Sequence, residues 1–449
     1  MRLKKLLCLL MATVMMLAVL SGCGNSQGGQ NDTSGDDSSK GDPNAIELRV
    51  SYQQDNAEGL ITKKLAQAFE KEQKEKGNSV KVTLVGIKAA DYNKQILQMA
   101  STESLPDVIY TYDDYASQWA KKGVFENLDS YFADDIDSSI YDDSIFEAAK
   151  VYEGSMYFAP REYNHPVIFI NTELFEKYDV NFEQYQEGWT WSQFVDVCEK
   201  LREGMNREKT KDYLYPMESS LTWAPVYNAW IQSFGGYVFN PENATVGLSD
   251  NATKGAITEL KAMIDDKLFA DPRSVSSGES FLNGNAAMFI STRPSVMNCL
   301  DSEIKLAFLP MPIMDEGTTY LSYGASGYAI SAKSDKKELA WEFLKFIISE
   351  NGQEIFSETG NCVPIIKSMQ NDENATWRKS LDGVNQDAFV LNESQQDRYT
   401  RILTVYARGY DPDKERNIYS QAGALIRELS TKSVSEWMEY AAAQLKGAL

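Results

Sequence analysis

Trp223, Tyr227, Trp230 and Phe234 stand at i, i+4, i+7 and i+11, a spacing that puts their rings on one face of a helix. Such stripes are most often core. The flat faces of Trp and Tyr also suit the C–H faces of sugars, and the chain holds 8 Trp and 24 Tyr. At least one of Trp223 and Trp230 is therefore expected to stack on a ligand, with Tyr52, Tyr227 and Tyr323 as further candidates. Asp113 and Asp114 follow the apolar run Val108-Ile-Tyr and fall at the carboxyl end of a strand, where open α/β sheets bind ligands. Capping of the following helix is an equally open role for either one. Arg161 and Arg293 leave room for charged ligands or ordering carboxylates. Catalytic constellations are missing. His165 is the single histidine, which excludes a site built on two imidazoles, and beside Pro166 it reads as structural or hinge-adjacent. The chain has no Gly-x-Ser-x-Gly, Gly-x-x-x-x-Gly-Lys or His-Glu-x-x-His. No metal site, cofactor or enzymatic activity is expected. The 65 carboxylates guarantee that some pair could mimic a glycosidase, so their number is no argument for one.

The excess of 65 Asp plus Glu over 44 Lys plus Arg, a net of −21, argues against nucleic acid as a partner, because a phosphate backbone calls for a basic face. Arg2, Lys4 and Lys5 precede the apolar run Leu6 to Leu20, interrupted only by Thr13, which fits a secretory signal over 1–22 and is short for a bilayer span. Leu20-Ser21-Gly22-Cys23 resembles the bacterial lipobox, in which the cysteine is acylated and becomes the new N-terminus. After it the chain is Gly, Ser, Asn, Asp and Gln with almost nothing apolar, so 23–45 reads as a lipidated cysteine and a flexible tether. That places the protein at the cell membrane, lipid-anchored and facing outside. Cys198, Cys299 and Cys362 are widely spaced and odd in number. Buried thiols are the expectation, with one disulfide left open.

The elements that must position these residues alternate strand and helix, which is the α/β pattern. Ile46, Leu48 and Val50 alternate before a helix carrying Leu60, Ile61, Leu65, Ala68 and Phe69, with Gly77 as its cap. Val80, Val82 and Leu84 open a second unit, and Pro106-Asp107-Val108-Ile109-Tyr110 a third. Farther on, Val167 to Ile170 is an apolar strand, and Thr190 can cap a helix bearing Phe194, Val197, Cys198 and Leu201.

Several segments resemble the extracellular solute-binding proteins of bacterial ABC importers, the carbohydrate-type family that includes maltose-binding protein. They are Leu105-Pro-Asp-Val-Ile with Trp119-Ala-Lys-Lys-Gly, and Tyr157-Phe-Ala-Pro160 leading to Val167-Ile-Phe-Ile-Asn171. Phe281-Leu-Asn-Gly284-Asn-Ala286-Ala-Met288 is the strongest match, and Gly327-Tyr328-Ala-Ile330 and Gly360-Asn-Cys-Val-Pro364 complete the series. The resemblance implies an α/β, two-lobed, type II periplasmic-binding-protein-like fold with the ligand cleft between lobes joined by crossovers. It implies lobes of 46–158 with 320–370 and of 159–319 with 371–449. It further implies a monomeric receptor that closes on a small solute, most often a sugar or oligosaccharide, and hands it to a membrane permease. A non-sugar solute receptor and a lipidated glycosidase or lyase are the alternatives. The family often has Gly-Trp shortly after Ala-Ala-Met, whereas Thr292-Arg293-Pro294 stands here, so the resemblance makes Arg293 a candidate for the cleft.

Overall fold

The computed structural model describes residues 44–447 apart from 56–57, 163, 208–212, 219, 241–242, 275–277, 301, 392–396 and 404–410. The expected signal peptide, Cys23 and nearly all of the tether lie outside the described residues. No described helix is long and apolar enough to cross a membrane.

Two sheets organise the chain. In the first, β1 (Ile46–Gln53), β2 (Val80–Ile87) and β3 (Val108–Tyr112) run parallel, each followed by a helix, as the apolar periodicities require. Leu48 and Val50 point into the core while Ile46 stays exposed at the strand's start. β4 (Ala159–Pro160) belongs to this sheet too. The expected boundary after residue 158 thus falls before the strand has ended. The second sheet contains β5 (Val167–Asn171), β6 (Tyr215–Met217), β9 (Ala286–Ser291) and β10 (Leu306–Leu309) in the order β10-β5-β9-β6, while β7 (Phe239–Asn240) and β8 (Thr245–Val246) form a separate hairpin. The chain then returns through β11 (Tyr320–Tyr323) to β12 (Ser326–Ile330), which joins the first sheet in the order β2-β1-β3-β12-β4. β12 runs antiparallel to both β3 and β4. A Cβ at Gly327 would stand 2.0 Å from the Ala159 carbonyl oxygen, so only glycine lets β4 approach.

Alternation along β5 shows how the second sheet is covered. Ile168 and Ile170 enter a core with Trp230, Ile418 and Trp437, whereas Val167 and Phe169 enter another with Phe281, Trp377 and Phe389. The first lobe has its own core, in which Phe69, Trp119 and Phe343 are fully buried. Cys198, Cys299 and Cys362 are buried in three different cores and form no disulfide with one another, which closes the pairing left open by the sequence.

Among the described residues the chain crosses between the lobes at three places. Residues 161–166 link β4 to β5, Gly324 and Ala325 link β11 to β12, and the stretch from Asn361 to Ala375, which touches both lobes' cores, leads from helix Glu350–Ser357 to the Trp377 core. The first two crossings are tied by the Asn164 and Gly324 backbones, which exchange hydrogen bonds of 3.2 and 3.0 Å. Beside them, β11 pairs in parallel with β13 (Thr400–Leu403).

Candidate functional site

A cavity of about 770 Å³ lies at these crossings, a size suited to a small ligand. The first lobe supplies Tyr112, Asp114 and Tyr115, the second Trp223, Thr292 and Asn298, and the crossings Glu162, Asn164, Tyr323 and Asn361. Ligand contacts on such walls come from both sides.

Asp113 and Asp114 open helix Asp113–Lys121 directly at the end of β3. The Asp113 carboxylate accepts from the Asp114 amide at 2.9 Å through Oδ1 and from the Ala325 amide at 3.1 Å through Oδ2. It therefore clamps the second crossing onto the helix. Gly324 permits this, since a Cβ there would lie 2.7 Å from Asp113 Oδ2. Asp114 is different. Its Oδ1 is buried with no hydrogen-bond partner among the described residues, and burial pushes its carboxyl up to about 6 despite the attraction of Arg416.

Arg161 also lines the cavity, but its guanidinium is engaged by its own wall. Nε donates to Ser326 Oγ at 3.2 Å and Nη2 to the Tyr110 hydroxyl at 3.3 Å, and the group lies over the Tyr110 and Phe356 rings. Glu162, 5 % exposed, accepts from Ser326 through Oε1 and stands 3.7 Å from Arg161 through the same atom. Its Oε2 is buried without a partner among the described residues. His165 Nε2 is 2.8 Å from the Ala388 carbonyl, and burial depresses the imidazole to about 4, so the ring is neutral and fixed to the Phe389 core.

The aromatic stripe divides. Helix Ala224–Ser233 begins one residue after Trp223, which is its extended N-cap with Pro225 in the first turn, so the helical period does not reach that ring. Trp223 lines the cavity and is 37 % exposed. Trp230 is 2 % exposed, edge-on to Trp191 at 5.3 Å and stacked on Phe269 at 5.7 Å, and is core. Tyr227 does not reach the main cavity, because its hydroxyl donates to the Tyr419 carbonyl at 2.7 Å. It borders a second cavity of about 420 Å³ that shares Asp114 and Ala224 with the first and carries Arg416 and Arg427. Tyr52 is buried in β1 beside Gly59 and Gly86, away from the cavity lining. Tyr323 is on it.

Arg293 overturns its expectation. Its neighbours Thr292 and Pro294 line the cavity, but its own side chain is 0 % exposed and turned inward. Nε donates to Gly360 O at 2.8 Å, Nη1 to Gln386 Oε1 at 2.5 Å, and Nη2 to Trp377 O at 2.7 Å and Ser380 Oγ at 3.1 Å. The Trp377 and Phe389 rings flank it at 5.0 and 5.2 Å. Burial lowers its pKa to about 9, and the group pins the third crossing instead of meeting a ligand.

Sequence reasoning passed over Tyr112, Tyr115, Glu162, Asn164 and Asn361. Tyr112 and Tyr115 bracket the Asp pair, and Glu162 and Asn164 follow Arg161 by one and three residues, so adjacency to the residues already chosen was the available signal. Nothing local marked Asn361. Among the described residues no three His, Cys, Asp or Glu side chains are grouped to hold a metal ion.

Residues 54–354 match the family described as bacterial extracellular solute-binding protein. The galactooligosaccharide-binding protein of Bacillus subtilis is 26 % identical over 354 residues, covering 75 % of this chain and 76 % of that protein. Among solved structures, the ABC substrate-binding protein Lmo0181 from Listeria monocytogenes, in complex with cycloalternan, superimposes with a TM-score of 0.73 at 18 % identity, covering 90 % of this chain and 98 % of the other. UgpB from Mycobacterium tuberculosis, in complex with glycerophosphocholine, gives 0.72 at 17 % identity over 90 % and 98 %. These structural likenesses show the fold.

Proposed function

The chain belongs to the bacterial extracellular solute-binding protein family, and on that premise we propose that it captures an oligosaccharide between its lobes and presents it to an ABC permease. The observation that carries this reading is the cavity at the three crossings, walled from both lobes by Trp223, Tyr115 and buried polar groups. A ligand touching both walls is fully held only when the lobes are together, so it shifts the population towards the closed form that a permease can recognise. Sugar is favoured by the aromatic walls and by a relative that binds galactooligosaccharides. No chemical step is assigned to the site, and the chain acts as a receptor that returns its ligand unchanged. The lobes we assign are 46–158 with 320–370 and 159–319 with 371–449, a division supported by the separate cores, although β4 sits in the first sheet and Leu321 and Val363 pack in cores of the second lobe. The site residues we assign are Asp113, Asp114, Arg161, Trp223 and Tyr323.

Upstream, Cys23 takes lipid after the 1–22 signal is removed, and the tether to residue 45 lets a monomer reach the permease from the outer face of the membrane. Two or more acyl chains, at ~0.8 kcal/mol per buried methylene, hold it there. Cys23→Ala is expected to move the protein from the membrane fraction to the medium with its melting temperature unchanged.

A thermal-shift screen against mono- and oligosaccharides tests the ligand class, since a ligand at 100 times its dissociation constant adds ~2.7 kcal/mol of stability. At least one saccharide is expected to raise the melting temperature, and no response to any would overturn the sugar reading.

A further inference from the structure

We infer that the cleft selects a saccharide bearing a protonated amino group, recognised by Asp114 and Glu162 together with the ring faces around them. This rests on the saccharide reading above and deepens it.

Among the described residues Asp113, Asp114 and Glu162 line the cavity, Arg416 attracts Asp114 from over the Tyr115 ring, and the only guanidinium on the lining is that of Arg161. That guanidinium is already committed to Ser326, Tyr110 and Glu162. His165 adds no charge, because burial holds it neutral. The carboxylates are not equivalent. Asp113 is satisfied by two backbone amides, whereas Asp114 Oδ1 and Glu162 Oε2 have no partner among the described residues. Glu162 is more than nine-tenths buried, so its unmatched oxygen is unlike one facing solvent.

Three further lining oxygens, Ser322 Oγ and the Oδ1 atoms of Asn164 and Asn361, have no hydrogen-bond partner among the described residues. The amide oxygens carry less weight, because an amide can turn over. A sugar hydroxyl brings lone pairs along with its proton, whereas an ammonium brings three protons and no lone pair. A wall with two unmatched carboxylate oxygens and a net negative charge suits the second. Burial raises the Asp114 carboxyl in spite of the attraction of Arg416, and a bound ammonium would add a second attraction that lowers it. Aromatic faces add to the selection. Tyr115 already holds the Arg416 guanidinium 3.6 Å from its ring centroid, so a ligand cation would meet Trp223 and Tyr323, which stand on the same cavity.

Calorimetric titration at pH 7 of matched series based on glucose, galactose and mannose, each as the neutral mono- and disaccharide, the free-amine form and the N-acetylated form, tests this. In at least one series the free amine is expected to bind tenfold or more tighter than both counterparts, and Glu162→Gln or Asp114→Asn to remove most of that preference. Neutral or N-acetylated sugars binding as tightly as the amine would overturn the inference and leave the saccharide reading standing. Silence from every member would overturn the saccharide reading beneath it.

Discussion

Arg293 and Asp114 are both charged groups taken out of water, and the protein treats them in opposite ways. Around Arg293, two backbone carbonyls, an amide oxygen and a hydroxyl converge on one guanidinium between two rings. Asp114 is left with an unmatched oxygen at the edge of a cavity. The buried guanidinium is saturated from within the chain, while the buried carboxyl is left short where it borders the cavity. That shortage, a cost to the free protein, is what supports the proposal that Asp114 meets a ligand.

The hardest way to break this comparison is to remove Arg293. Arg293→Met leaves Gly360, Trp377, Gln386 and Ser380 without their donor, and a loss of ~3 to 5 kcal/mol is expected in urea unfolding, as for a broken buried polar network. Arg293→Lys should recover little, since one ammonium cannot reach the fork of acceptors. Parent-like stability in either variant would return Arg293 to the cleft.

Asp114 sharpens the comparison from the other side. Its folded pKa of about 6 lies above the ordinary 3.8, so above pH 6 the ionised folded form carries a desolvation penalty of ~3 kcal/mol. That penalty shrinks as pH falls and is gone below about 4. Asp114→Asn should thus stabilise the free protein at pH 7.5 and have no effect at pH 4, while weakening ligand binding. His165 slopes oppositely. Its folded pKa of about 4 lies below the ordinary 6.5, so stability is lost progressively from pH 6.5 down towards 4, again by ~3 kcal/mol. Between pH 4 and 6 the two contributions offset, and chemical denaturation across that range should show a steeper acid loss in Asp114→Asn and a shallower one in His165→Gln.

The two tryptophans give a smaller contrast in binding. Trp223→Ala is expected to weaken saccharide binding by ~1 kcal/mol or more with the melting temperature nearly unchanged, as suits a side chain 37 % exposed on the cavity. Trp230→Ala should instead unfold more easily, with no defect specific to binding. Smallest of all is the surface pair of Lys122 and Asp413 at 3.3 Å, where Lys122→Ala should change stability by less than ~1 kcal/mol.

Much of this molecule can be read from its sequence, and the failures share a cause. Period-2 and period-3.6 patterns marked the parallel units of the first sheet, and the Asp pair after Val108-Ile-Tyr was located at the cavity by a rule about strand ends. The aromatic stripe misled at Trp223 because Pro225 starts the helix after it, so a real spacing did not correspond to a shared face. Arg293 misled for a different reason. Its partners come from residues 360, 377, 380 and 386, and no local pattern around Thr292-Arg293-Pro294 announces acceptors that far along the chain. Tyr52 lies off the cavity lining, because a ring's suitability for stacking does not say which face of the sheet borders the cleft.

The three crossings bear on when the protein can fold as well as on how it closes. Ile365 and Ile366, which complete the first core, follow the whole of the second sheet in sequence, and Trp437 and Leu445, which complete the second, come later still. A nascent chain emerging from the ribosome therefore holds neither finished core until nearly all of it has been made. High contact order of this kind slows folding. If the proposed signal directs export through a secretion channel, that delay would leave the chain extended enough to pass, and the interleaving that builds the cleft would also time its appearance.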